Sequence, residues 1–163
     1  MFTIQSKVHV EGIGGLPLFN FLINPSDRAY QSWWPGTHLK FHTRYGTPGS
    51  IGSLVYMDEY VGKRRVRMTG VVAEAQPGKK ITWQFKALIR LPIWLHLELE
   101  DDSRGVTVTH TIRAGIGGIG RVLDGLFRLY LSDDFAKAMD EHAKIEFPRL
   151  GALLQSSVSE SVS

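Results

Sequence analysis

The side chains best suited to chemistry in this sequence are histidines and one glutamate set among apolar neighbours. His110 shares a strand face with Val106, Val108 and Ile112, so the period-2 pattern points it inward. There it is either a core histidine hydrogen-bonded to a neighbour, since burying an imidazole requires a partner, or a cavity-lining donor or general base tuned by apolar surroundings. His142, on the inner face of a C-terminal helix, is a second candidate. Two inward histidines would grip a carboxylate or hydroxyl. Glu59 shares a face with Ser53, Val55 and Met57. It reads as a cavity carboxylate paired with an arginine such as Arg67, or as an ion pair at a strand end.

His38 and His42 have the H-x-x-x-H spacing that chelates a metal from a helix, yet they alternate with Leu39, Phe41 and Thr43 in a strand. Four strand steps span about 13 Å, whereas two nitrogens on one zinc must each lie within about 2.1 Å of it. Exposed strand histidines are expected, and no metal site. The run Gly115-Ile116-Gly117-Gly118-Ile119-Gly120 matches G-x-G-x-x-G. A dinucleotide site also needs a following parallel strand and an acidic residue. No strand follows, so the glycines read as a tight strand-to-helix turn. With no cysteines, disulfides, thiolate metal sites and cysteine nucleophiles are excluded. No motif calls for a cofactor, and no nucleophile–base pair is visible.

Bulky apolar residues are the firmest signal: Phe41, Tyr45, Trp83, Phe85, Leu95, Leu97, Val108 and Phe127. They suit the walls of a ligand site that carries a few polar groups, and they also suit a filled core. Trp33 and Trp34 close a short helix and could gate such a site, each indole nitrogen wanting a partner.

The elements that must hold these residues follow from length and pattern. At 163 residues, 43% hydrophobic and 21% charged, the chain suits one globular domain. No apolar run reaches the ~18 residues of a transmembrane helix, and the N-terminus lacks a signal-peptide pattern. A cytoplasmic location is expected. The net charge is only +3, and its basic clusters, Lys63-Arg64-Arg65 and Lys79-Lys80, lie beside hairpin turns, so no nucleic-acid partner is expected.

Residues 2–10 alternate as a half-buried strand, and two short helices follow at about 16–22 and 25–33, the second capped by Asn24 before Pro25. Strands are predicted at 38–45, 51–60, 64–75, 80–90, 93–100 and 106–114, separated by Gly, Pro and Asp turns. Short connections make them an antiparallel meander. Residues 119–155 are helical in pattern, and 156–163 form a polar tail expected to be disordered. The apolar side of that helix shifts near Ser132. Either Ser132 caps a new segment, with Asp133 and Asp134 in its first turn, or the helix runs on. The continuous reading, which we prefer, buries Phe127, Leu131, Phe135, Ala138, His142 and Ile145. It leaves a patch of Ile119, Val122, Leu126 and Tyr130 to cover a cavity mouth or to pair two copies of the chain through residues 119–130. Pro148 should bend or end the helix near Phe147.

This element order resembles the START-like superfamily, also called the Bet v 1-like or polyketide cyclase/dehydrase-related (SRPBCC) group. The residues that carry the resemblance are Trp33-Trp34-Pro35-Gly36, Gly49-Ser50-Ile51-Gly52, and Glu59-Tyr60-Val61-Gly62 ahead of Arg67. Val72 through Lys79, Ile81-Thr82-Trp83 and the Gly-rich stretch from Gly118 to Leu131 continue it, over residues 1–155. The resemblance implies an α+β helix-grip fold: a seven-stranded curved antiparallel sheet around a long C-terminal helix, with two short helices between strands 1 and 2. It further implies binding of a hydrophobic or amphipathic small molecule, such as a lipid, polyketide or isoprenoid, in an internal cavity. Some members cyclise or dehydrate polyketides. From the strand and helix faces and the bulky apolar set above, the site residues expected are His110, Glu59, His142, Trp83, Phe85, Leu97, Tyr45 and Phe127.

Overall fold

Ten-residue alternation at the start of the chain becomes β1 (Phe2–Glu11), with Ile4, Ser6, Val8 and Val10 turned to the interior. In the computed structural model, which describes residues 2–24, 26–115 and 132–160 (the last three by backbone alone), two short helices follow. These are α1 (Gly15–Ile23) and α2 (Asp27–Trp33). Six further strands come next: β2 (His38–Tyr45), β3 (Leu54–Val61), β4 (Arg64–Gln76), β5 (Lys80–Lys86), β6 (Arg90–Asp101) and β7 (Gly105–Ala114). The last helix, α3, spans Asp133–Glu160.

All seven strands form one antiparallel sheet in the order β1-β7-β6-β5-β4-β3-β2. The meander from β2 to β7 follows from its short turns, and β1 closes the far edge against β7 in an unbroken register from Phe2–Ala114 to Glu11–Gly105. Gly105 is required at that corner because a Cβ there would collide with the Val10 carbonyl oxygen. The expected helix-grip arrangement is therefore the observed one. Helix α3 packs chiefly on β1 and also touches β3, α1 and α2. Gly151 lets it approach, since a Cβ would run into the Val10 side chain. Phe147 and Leu150 of α3 then join Leu18, Ile81, Val106 and Val108 in the core, burying apolar surface worth about 25 cal/mol per Å2.

Several local expectations are corrected. Ser26, not Asn24, caps α2, its hydroxyl accepting from the Ala29 amide. Pro92 does not separate two strands but lies inside β6. Its nitrogen, like its carbonyl, faces β7 just beyond the last ladder pair, Ile93–Ala114, so the missing proline N–H falls at the end of that ladder. The Pro92 carbonyl instead accepts from Gly115 at 2.9 Å. Helix α3 begins at Asp133, directly after Ser132, whose Oγ accepts from Phe135 N at 3.3 Å. This corrects the continuous helix, because a side-chain cap with Asp133 and Asp134 behind it satisfies amides that a running helix would have bonded already. Pro148 neither ends the helix nor marks its boundary. It lies on the solvent side, as does Lys144 one turn earlier, so the carbonyl it strands can meet water. The helix runs on past 155, with the Ser156 and Ser157 hydroxyls bonding back to Leu153 O. Ile145, expected inside, is 47% exposed. The Gly-rich stretch beyond Gly115 and the 119–130 patch lie outside the described residues. Among the described residues no helix is long and apolar enough to cross a membrane.

Candidate functional site

Three elements, β2, β3 and α3, bring four polar side chains together. His38 opens β2 and is paired across the ladder with Glu59 of β3. His142 and Glu146 stand one turn apart on α3, facing them. All four are buried. His38 Nε2 lies 3.7 Å from Glu59 Oε2 and 3.5 Å from Glu146 Oε1. His142 Nε2 lies 3.9 Å from Glu59 Oε2 and 3.7 Å from Glu146 Oε2. One donor atom from each residue falls within a 4.8 Å group. Neither His38 Nε2 nor His142 Nε2 makes a hydrogen bond.

Aromatic rings hold this cluster in place. The Tyr30 hydroxyl donates to Glu59 Oε2, and its ring stacks on the His38 imidazole at 3.9 Å and 4°. Trp33 Nε1 donates to the Glu146 backbone carbonyl at 2.7 Å. Trp34 stacks on His142 at 4.7 Å and carries the Arg149 guanidinium over its ring at 5.0 Å. The two tryptophans are therefore packing and capping groups for the cluster, each in contact with a histidine.

Burial dominates the electrostatics. It pushes the carboxyls of Glu59 and Glu146 up to about 7, with their mutual repulsion adding to Glu59. It lowers His38 to about 4 against the pull of Glu59, and lowers His142 as well. Tyr30 is raised by burial and then by the Glu59 charge. Two carboxyls poised near neutrality beside neutral imidazoles can accept, hold and return protons, or ligate a cation.

Next to the cluster lies a cavity of about 570 Å3 bounded by β3–β7 and α3, with Val61, Val66, Ile93, Phe135 and Met139 among its walls. A smaller inner pocket of about 50 Å3 reaches His110, His142 and Glu146. Glu59, Met68, Phe85, Ile112 and Met139 line both, so Glu59 is the acidic group shared by the large cavity and the cluster.

The sequence-derived residues divide accordingly. His110, His142, Trp83 and Leu97 line the inner pocket, while Glu59 and Phe85 line both spaces. His110 is buried, yet its Nδ1 has no hydrogen-bond partner. Its pKa is lowered to about 4 by burial and then by His142. Tyr45 is a correction: it is 76% exposed, because a register shift between Thr43 and Tyr45 changes the phase of β2. Phe127 lies outside the described residues. Arg67 does not pair with Glu59. It lies 3.7 Å from Asp58, which also takes a bidentate bond from Arg65 at 2.8 and 2.9 Å.

His38 is the second correction, being fully buried where an exposed histidine is expected. A shift between His38 and Lys40 lets His38 and Phe41, three residues apart, both face inward. His42 is half-exposed and bonds Asp27 at 2.8 Å. The sequence reading missed Glu146 altogether. Its signal is H-x-x-x-E on the helix face that also carries Met139, Ala143, Phe147 and Leu150, a polar pair one turn apart inside an apolar stripe.

No protein-family model and no curated protein matches this sequence. Solved structures do. The chain is similar to major latex-like protein 151 from Panax ginseng, at 11% identity and a TM-score of 0.56, over 86% of this chain and 96% of that one. It is similar to a protein of unknown function from Staphylococcus aureus at 7% identity and a TM-score of 0.63, over 97% of each chain. It is also similar to the Aha1 dimer from Colwellia psychrerythraea at 14% identity and a TM-score of 0.52, over 91% and 98%. At these identities the likeness defines the fold: the chain has the helix-grip fold of Bet v 1-like and SRPBCC proteins. Fold alone leaves the activity to be argued from the site.

Proposed function

We propose that the protein binds a hydrophobic or amphipathic small molecule, of lipid, polyketide or isoprenoid character, between its sheet and its C-terminal helix. The observation that carries this reading is the cavity of about 570 Å3, apolar along its inner walls and ending on the buried Glu59. Ligand sites of about 300–1,000 Å3 combine such walls with a few placed polar groups. A protonated Glu59 would donate to a ligand carbonyl, and an ionised one would accept from a hydroxyl. Arg67 and Lys86 border the same cavity and suit an anionic end left near solvent. Phe85, Trp83, Leu97 and His110 would shape the deep end.

A second reading has one observation in its favour. Carboxyls near 7 at Glu59 and Glu146 match what general acid–base work requires, so a cyclase- or dehydratase-type reaction on the bound chain is the alternative. Native mass spectrometry of protein purified from its own source tests the binding reading. A co-purified apolar compound, or one-to-one uptake from a panel of lipids and aromatic polyketides, is the expected result. An empty protein that takes up nothing from the panel rejects it. Turnover of a bound compound that His110→Gln abolishes while sparing uptake would favour the enzyme.

A further inference from the structure

We infer that His38, Glu59, His142 and Glu146 form a binding site for one divalent transition-metal ion, zinc being the best fit. The four closest nitrogen–oxygen separations are 3.5, 3.7, 3.7 and 3.9 Å. Those distances exceed the roughly 3.2 Å limit of a good hydrogen bond. Zinc bonds of about 2.0–2.1 Å set tetrahedral edges near 3.3 Å, so single donor atoms that lie within 4.8 Å of one another must draw in by up to about 1.5 Å to close a coordination shell. The two imidazole Nε2 atoms converge on the same point as the carboxylates and bond nothing else.

The surroundings fit as well. Two carboxylates and two neutral imidazoles offset the charge of a divalent ion, where the unfilled site would bury like charges together. Imidazole with carboxylate is a donor set that suits zinc and iron better than magnesium or calcium. Tyr30 holds Glu59 by a hydrogen bond, as outer-shell groups orient metal ligands. A way in exists: His142 also lines a surface groove of about 210 Å3 with Trp34, Thr37 and Ile145. Four protein donors would close the shell, as in structural sites, and the ion would clasp the β2–β3 hairpin to α3. The site shares Glu59 with the apolar-ligand reading, and separate measurements of zinc and apolar uptake tell the two apart.

The test uses the full chain, stripped with a chelator and then dialysed against zinc or cobalt. One zinc per chain is expected, with a tetrahedral cobalt spectrum that zinc abolishes and a rise in melting temperature on loading. Outer-shell changes alone cost about 10–100-fold in metal affinity, so Glu146→Gln and His142→Ala should each weaken zinc by more than about 100-fold. His42→Ala, on the half-exposed pair with Asp27, should leave it unchanged. Glu146→Gln preserves side-chain shape, and circular dichroism confirms that the variant is folded. Wild-type protein that is folded yet binds no stoichiometric zinc overturns the inference, as does full binding by folded Glu146→Gln. Zinc uptake without apolar uptake would reject the cavity reading alone, and the reverse result would reject the metal site alone.

Discussion

Phe147→Ala is expected to lower the free energy of unfolding by about 3–5 kcal/mol, among the largest single-residue effects in the molecule. Phe147 is 1% exposed and lies where α3 presses into the grip. Its ring centroid is 6.2 Å from both Trp33 and His110. Removing the ring deletes its transfer energy and leaves a void beside a pocket that already holds about 50 Å3, and the sheet cannot collapse to fill it. Urea unfolding should show a lower midpoint with an unchanged slope. Phe147→Leu should cost much less. A near-neutral alanine variant would mean that α3 is not seated on the sheet as described.

The second large effect concerns acid. The His110 pKa is lowered from its ordinary 6.5 to about 4 because burial disfavours the imidazolium. Between those values the unfolded chain binds a proton that the folded chain refuses. The contribution of His110 is therefore complete above about 6.5 and lost as pH falls through about 4, a swing of about 3 kcal/mol. His38 acts in the same direction. Glu59 and Glu146, raised to about 7, act in the opposite one: their stabilisation is complete below about 4.5 and lost as pH rises through 7. The wild-type profile sums opposing slopes, so the informative quantity is the difference from His110→Leu. With chelator present, that variant should lose about 2–3 kcal/mol less than wild type between pH 7 and pH 4. A difference that stays constant with pH would show that His110 is not held neutral by its surroundings.

The fold was legible because its signals are local and redundant. Period-2 alternation in β1 and β7, and Gly or Pro turns at Gly62, Pro77-Gly78 and Gly105, mark strands whose antiparallel order follows from connection length alone. The site was legible only in part. His110 lies in a strand with unbroken register to both neighbours, so counting by twos gave the right face. His38 and Tyr45 lie in β2, where two irregularities shift the phase. Each was therefore assigned to the wrong side by a rule that assumes even steps. Glu59 was found, but its partners were not. Arg67 is near in sequence, whereas His142 and Glu146 arrive from a helix more than 80 residues away, and no local pattern encodes that meeting. Ser132 shows the same limit, since capping and continuation read alike until the Phe135 amide is seen bonded to its hydroxyl.

If an apolar molecule occupies the large cavity, filling that space from within should exclude it. Ile93 is half-buried on β6 and lines the space, so Ile93→Trp should occupy it without disturbing the sheet. Titration with an apolar fluorophore such as anilinonaphthalene sulfonate should give saturable one-to-one binding to wild type. The folded Ile93→Trp protein should bind at least about tenfold more weakly, a loss of about 1.4 kcal/mol. Equal binding by both proteins, or none by wild type, would contradict the account.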